Sequence, residues 1–194
     1  NTVYFSEPFL AHAWNPLNYC TLPFNIVNLV EGPSGLVALT EGNPYLITGV
    51  TPDAMTPYKL PASQGCLSKL GSADMGDAVA FVSNDGVVVA SGGDASLNLS
   101  QQFWARDDWR PSWASYDLRL AFHDGHLYGS YPTSTPSDTL GFALRLDDAA
   151  GTLTYTRYRM DAVAYAPHVD GMFFSQGKAV FQMSSPGLFP ISAE

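Results

Sequence analysis

At 194 residues, with 46% hydrophobic and 13% aromatic residues, the chain can bury one substantial core, and nothing in it requires a second domain. Its net charge is −9 and its Lys and Arg are scattered, which argues against nucleic-acid binding through phosphate contacts. No apolar run approaches the roughly 18 residues of a helical membrane span.

Charged residues make up only 14%, against about a quarter in an average soluble domain, so part of the surface is expected to lie under a partner. Fourteen prolines and 17 glycines fit an all-β protein with many turns. The chain starts at Asn1 rather than Met, shows no signal-peptide pattern, and reads as a piece of a longer protein.

Val3 and Phe5 point to a short first strand, and Pro8 and Pro16 predict irregular backbone from there to Tyr19. Phe24 to Val30 alternates in part and reads as a strand before the Gly32-Pro33-Ser34-Gly35 turn. Leu36 to Leu39 and Tyr45 to Val50 form a hairpin across Glu41-Gly42. Thr51 to Pro61 is a surface connection with a short strand at Tyr58-Lys59-Leu60. Gln64 to Ser68 leads into a second hairpin, Gly76 to Gly93, whose Val-rich runs flank Ser83-Asn84-Asp85-Gly86. The period then changes. Leu97, Leu99, Phe103 and Trp104 recur near 3.6, predicting one helix from Ser96 to Trp109, stopped by Arg110-Pro111. Tyr116 to Phe122 pairs with His126 to Tyr131, and Pro132 to Asp138 is an exposed loop. Leu140 to Leu146 and Gly151 to Met160 form a further hairpin, and Val163 to Phe174 with Lys178 to Met183 close the series.

An acidic residue followed by Gly interrupts hydrophobic runs four times, at Glu41-Gly42, Asp85-Gly86, Asp124-Gly125 and Asp170-Gly171, at intervals of 44, 39 and 46 residues. A recurrence of roughly 40–50 residues with about four strands per unit is the signature of a β-propeller blade. The expected fold is all-β: a propeller or partial propeller of about four antiparallel blades within one domain, 1–194, carrying one short helix. Little chain remains after the fourth unit to close a ring, so an arc of a larger propeller is preferred to a four-bladed ring.

Candidate chemistry is sparse. Cys20 and Cys66 hold similar positions in successive units, as a bridge between blades or as two buried hydrophobes. His123-Asp124-Gly125-His126 has metal-ligating residue types, yet Asp124-Gly125 is the repeated turn and the other units lack the histidines. Asp74, Asp77, Asp94, Asp107 and Asp108 read as solvated turn and helix carboxylates. There is neither a Gly-x-Ser-x-Gly elbow nor a Gly-rich phosphate loop, so no catalytic residue, cofactor or metal is expected. Trp104 is expected in the core. Trp109 and Trp113, beside Arg106 and Arg110, are the candidates for a subunit interface.

Several stretches resemble, in order, the tail-nozzle (tail tubular protein B) virion proteins of short-tailed bacteriophages. These are Val3-Tyr4-Phe5-Ser6-Glu7-Pro8 with Trp14 to Tyr19, Leu36 to Ile47 across its polar turn, Thr51 to Pro57 with Gln64-Gly65-Cys66, Met75 to Val79, Ser83 to Gly86, and the Leu97 to Trp109 segment. The resemblance covers about residues 1 to 130. It implies a structural role in a virion tail, with neighbouring tail subunits as partners, a homo-oligomeric ring around a DNA channel, and no sequence-specific nucleic-acid binding. The alternatives are a carbohydrate-active propeller using two carboxylates near its axis, and a ligand-binding module with an exposed aromatic patch.

Overall fold

The computed structural model describes residues 1–32, 34–92, 96–112, 118–131, 140–147, 152–158, 162–166, 169–176 and 179–183. β1 (Thr2–Glu7) and β2 (Leu10–Thr21) form a two-stranded ribbon. A first four-stranded antiparallel meander follows: β3 (Ile26–Gly32), β4 (Gly35–Thr40), β5 (Tyr45–Thr48) and β6 (Thr56–Lys59). The second holds β7 (Ser72–Asp74), β8 (Ala78–Ser83), β9 (Gly86–Ser91) and β10 (Ser96–Asn98). The third holds β11 (Arg119–His123), β12 (His126–Tyr131), β13 (Leu140–Asp147) and β14 (Thr152–Tyr158), and a three-stranded sheet of β15 (Ala162–Ala166), β16 (Gly171–Gln176) and β17 (Ala179–Met183) comes last. The protein is therefore mostly β, as its turn-rich composition indicates.

Period-2 alternation decides how these sheets stack. In β4, Ala38 turns toward the ribbon with Tyr45 and Ile47 of β5, joining Val3, Cys20 and Leu22. Val37 and Leu39 turn the other way and meet Val79 and Phe81 of β8 and Val88 and Ala90 of β9. Ala80, Val82 and Val87 fill the opposite face and meet Leu120, Leu127, Phe142 and Leu144 of the third sheet. Ala121, Tyr128 and Ala143 then pack on Val163 and Met172 of the last sheet. Each apolar cluster fills the space between two consecutive layers. Buried on both faces, β8 and β9 read as continuous apolar runs, and each Val or Phe so enclosed contributes about 1.5–3 kcal/mol.

The first strands of successive sheets adjoin: β3 packs on β7, β7 on β11, and β11 on β15. They begin at Ile26, Ser72, Arg119 and Ala162, intervals of 46, 47 and 43 residues. Here the acidic-Gly turns need correction. Glu41-Gly42 and Asp85-Gly86 join second to third strands, whereas Asp124-Gly125 and Asp170-Gly171 join first to second strands. The chain repeats a four-stranded meander, but these turns do not mark one equivalent corner of it. In the two equivalent corners the preceding hydroxyl organises the turn. Thr40 Oγ1 accepts from the Gly42 and Asn43 amides, and Ser83 Oγ accepts from the Asp85 amide and donates to the Gly86 carbonyl.

Two further expectations change. The predicted helix 96–109 divides: Ser96–Asn98 pairs with β9, Ser100–Gln102 makes a single 3-10 turn, and the helix α1 runs Arg106–Ser112, with Pro111 inside it. The apparent 3.6 period of Leu97, Leu99 and Phe103 arose because Leu97 lies exposed on a strand while Leu99 enters the core after it. The stretch after Pro8, predicted irregular, is the long strand β2. Between the Tyr4–Tyr19 and Ser6–Trp14 pairs, β2 carries four residues, Asn15 to Asn18, against the single Phe5 of β1. Pro16 sits in that bulge, where no ladder hydrogen bond is required of it.

Candidate functional site

Three surfaces are candidates for function. The first is the predicted interface around α1. Trp113 lies outside the described residues. Trp109 is fully buried, its indole Nε1–H donating to the Ser83 carbonyl at 3.0 Å and its ring 5.6 Å from that of Trp104. It is a core residue and offers nothing to a partner in this fold, because a helix this short can bury its apolar side only by seating it against β9. Arg106 and Arg110, one turn apart, remain half-exposed and converge on Asp85. Arg106 Nε donates to Asp85 Oδ1, Arg110 Nη2 reaches the same oxygen at 3.0 Å, and Gln64 Nε2 donates to Oδ2 at 2.6 Å. Burial alone would raise the Asp85 carboxyl. The Arg106 hydrogen bond and charge, with Gln64 and Arg110, outweigh it and hold the group below the usual carboxylate range. The two arginines thus clamp a turn.

The second surface is the ribbon. Its base is anchored by Val3 and Cys20, but the outer part exposes Tyr4, Leu10, Trp14, Leu17 and Tyr19, with Leu17 at 79% and Trp14 at 59%. At the tip, Pro8-Phe9 turns the chain between the paired Glu7 and Leu10, and Phe9 sits fully exposed at φ 60°. A left-handed conformation for an aromatic residue costs about 1–2 kcal/mol. The fold therefore holds an apolar ring in water on a strained hinge. Leu10–Thr21 has no Asp, Glu, Lys or Arg and a single histidine, His12, although the chain as a whole carries −9. Sequence reading missed this surface, taking Pro8 and Pro16 as loop markers. The available signal was the density of uncharged large side chains between them.

The third is a depression of about 490 Å³ where the four first strands meet. Asn28 of β3, Lys69 and Asp74 around β7, Arg119 of β11 and Tyr165 of β15 line it. Asn28 Nδ2 donates to Ser72 Oγ at 2.8 Å, tying two sheets, and Asp74 Oδ1 accepts from the Gly76 amide at 2.8 Å. Beside it, the Tyr165 hydroxyl donates to Asp170 Oδ1 at 2.9 Å, which pushes its pKa up.

His123 and His126 are directly paired across the Asp124-Gly125 turn, whose residues have φ 48° and 70°, so they share a face of the sheet. They do not converge on one point: His123 stacks on Tyr165 at 5.0 Å, while His126 stacks on Tyr128 and its Nδ1 lies 2.7 Å from the Asp124 carbonyl. Among the described residues no three His, Cys, Asp or Glu side chains gather as a metal site. Cys20 and Cys66 are free and lie in different inter-sheet spaces; burial pushes both thiols up, Cys66 to about 12. Among the described residues no helix is long and apolar enough to cross a membrane. A scan against protein-family models and a search of curated proteins each find no match.

Proposed function

We propose that the protein is a structural subunit that works by assembly, its β1–β2 ribbon seating on a second copy of the same chain. One observation carries this reading: the ribbon's outer strand β2 exposes apolar and aromatic side chains and holds no Asp, Glu, Lys or Arg, in a chain of net charge −9. Copies of an acidic chain repel one another, so a contact between them is favoured where charge is absent. An exposed cluster of large apolar side chains is the usual mark of a contact surface.

In this reading the sheets are successive blades of a propeller, or of an arc of one, with β3, β7, β11 and β15 innermost. The adjoining of those strands and their near-regular recurrence support it. The setting we propose is a virion tail of the short-tailed phage type, with subunits arranged around a DNA channel. The ordered resemblance from Val3 to Trp109 supports that setting.

Light scattering over a concentration series tests the mode of action. The expected result is a discrete assembly that dissociates when Trp14 and Leu17 are both replaced by Ser. A wild-type chain that stays monomeric at the highest concentration overturns the proposal.

A further inference from the structure

The depression between the first strands holds two of the chain's nine cationic side chains, Lys69 and Arg119, on a surface that is otherwise short of positive charge. Among the described residues neither has an acidic partner. Arg119 Nε is enclosed and makes no hydrogen bond, and the Ser130 hydroxyl, directly opposite it across β11 and β12, makes none either. Arg119 Nε–H at the wall of this depression is thus a donor left without an acceptor, whereas buried polar groups are almost always paired. The remaining polar groups are of both kinds: the Asn28 amide and the Asp74 carboxylate lie on the same wall. Ala73, Leu120 and Val163 give it an apolar floor, and the half-exposed Tyr165 ring stands at its edge. The volume of about 490 Å³ falls within the range of roughly 300–1,000 Å³ usual for small-molecule sites.

We infer that this depression binds an anionic monosaccharide, a hydroxylated ring bearing a carboxylate or a phosphate. The anionic group meets Lys69 and the guanidinium of Arg119. Ring hydroxyls meet Asn28 and Asp74, whose second oxygen has no assigned donor among the described residues, and the carbon face of the ring lies on the apolar floor. Sugar recognition uses this mixture of planar polar groups with an apolar surface, whereas a bare inorganic anion would leave the floor and Asp74 unmatched. The site is independent of the ribbon, so its fate and that of the assembly reading are decided separately.

Titration calorimetry on the full chain, with sodium D-glucuronate, D-glucose 6-phosphate, D-glucose and inorganic phosphate as probes, tests it. The expected result is saturable binding of glucuronate or glucose 6-phosphate with Kd of about 1 mM or tighter, and glucose at least about tenfold weaker. Which of the two anionic sugars binds distinguishes carboxylate from phosphate. Lys69→Gln and Arg119→Gln should each weaken binding by about tenfold or more. Lys69 is exposed, so its variant folds normally and keeps the test valid if Arg119→Gln disturbs the sheet. Absence of binding by both anionic sugars, equal binding of glucose, equal binding of inorganic phosphate, or unchanged affinity in Lys69→Gln would each overturn the inference.

Discussion

The indole N–H of Trp109 donates to the main-chain carbonyl of Ser83 at 3.0 Å, locking α1 onto the tight turn between β8 and β9. The ring also fills the space between the second and third sheets, beside Trp104 and Phe142. Trp109→Ala removes both the volume and the donor. Equilibrium urea unfolding should show a loss of about 3–5 kcal/mol, the usual cost of emptying a large aromatic site. A loss under about 1 kcal/mol would show that the helix docks by other means.

The Asp85 clamp predicts an acid-side loss of stability. Its carboxyl has a folded pKa below the model-peptide value of 3.8, so as pH falls the unfolded chain takes up the proton first. The stabilisation is full above that value and disappears as pH falls through the lower folded pKa. Asp85→Asn should cost about 1–2 kcal/mol at neutral pH, since Arg106 and Arg110 are exposed enough to be rehydrated. It should also flatten the dependence of urea midpoints on pH below 4. Parallel slopes for the two proteins would contradict the clamp.

Phe9 separates folding from association. Glycine adopts φ 60° without strain, so Phe9→Gly should leave the thermal midpoint unchanged or slightly raised. The same change removes the exposed ring at the tip and should shift the assembly midpoint to at least about tenfold higher concentration, equivalent to about 1.4 kcal/mol. Sedimentation velocity alongside thermal unfolding reads both. A variant that assembles like wild type would show that the tip makes no contact.

Cys66 offers a probe of the space between the first and second sheets. Its thiol, pushed up to about 12, should resist iodoacetamide in the native state at pH 8 and react on unfolding, as seen by mass spectrometry. Because the folded pKa lies above the unfolded value of 9.0, this group's contribution is complete below pH 9 and is lost as pH rises toward 12. Cys66→Ala should remove that alkaline component.

How much of this was legible in the sequence depended on whether a local signal was tied to a non-local one. Asp124-Gly125 marks a two-residue hairpin because its two positive φ values are a local demand. β12 runs His126–Tyr131 as expected, while β11 runs Arg119–His123 where the sequence predicts Tyr116 to Phe122, of which 116–117 lie outside the described residues. Val79, Phe81, Val88 and Ala90 announced buried strands through their own composition. Trp109 did not declare its direction. Helical neighbours such as Arg106 and Arg110 indicate a wet face, but only the position of β9 decides which side is dry. Arg119 and Lys69 lie 50 residues apart, and nothing along the chain relates them until β7 and β11 adjoin. The four-strand period was visible, but its phase was not, because an acidic-Gly turn suits either corner of a meander.

The succession of sheets with one apolar cluster in each gap has an energetic consequence. Such a chain behaves as a line of nearest neighbours, in which coupling passes from one layer to the next and fades with each step. Damage beside Cys66 is felt by the layers that enclose it, while the Met172 layer is insulated by the third sheet. Among the described residues the ribbon packs on the first sheet alone, so it is expected to open and exchange its amide hydrogens sooner than β8 and β9, which are enclosed on both faces. Its apolar arm therefore projects from the part of the molecule that can yield and re-form as a neighbour arrives, without disturbing the layers behind it.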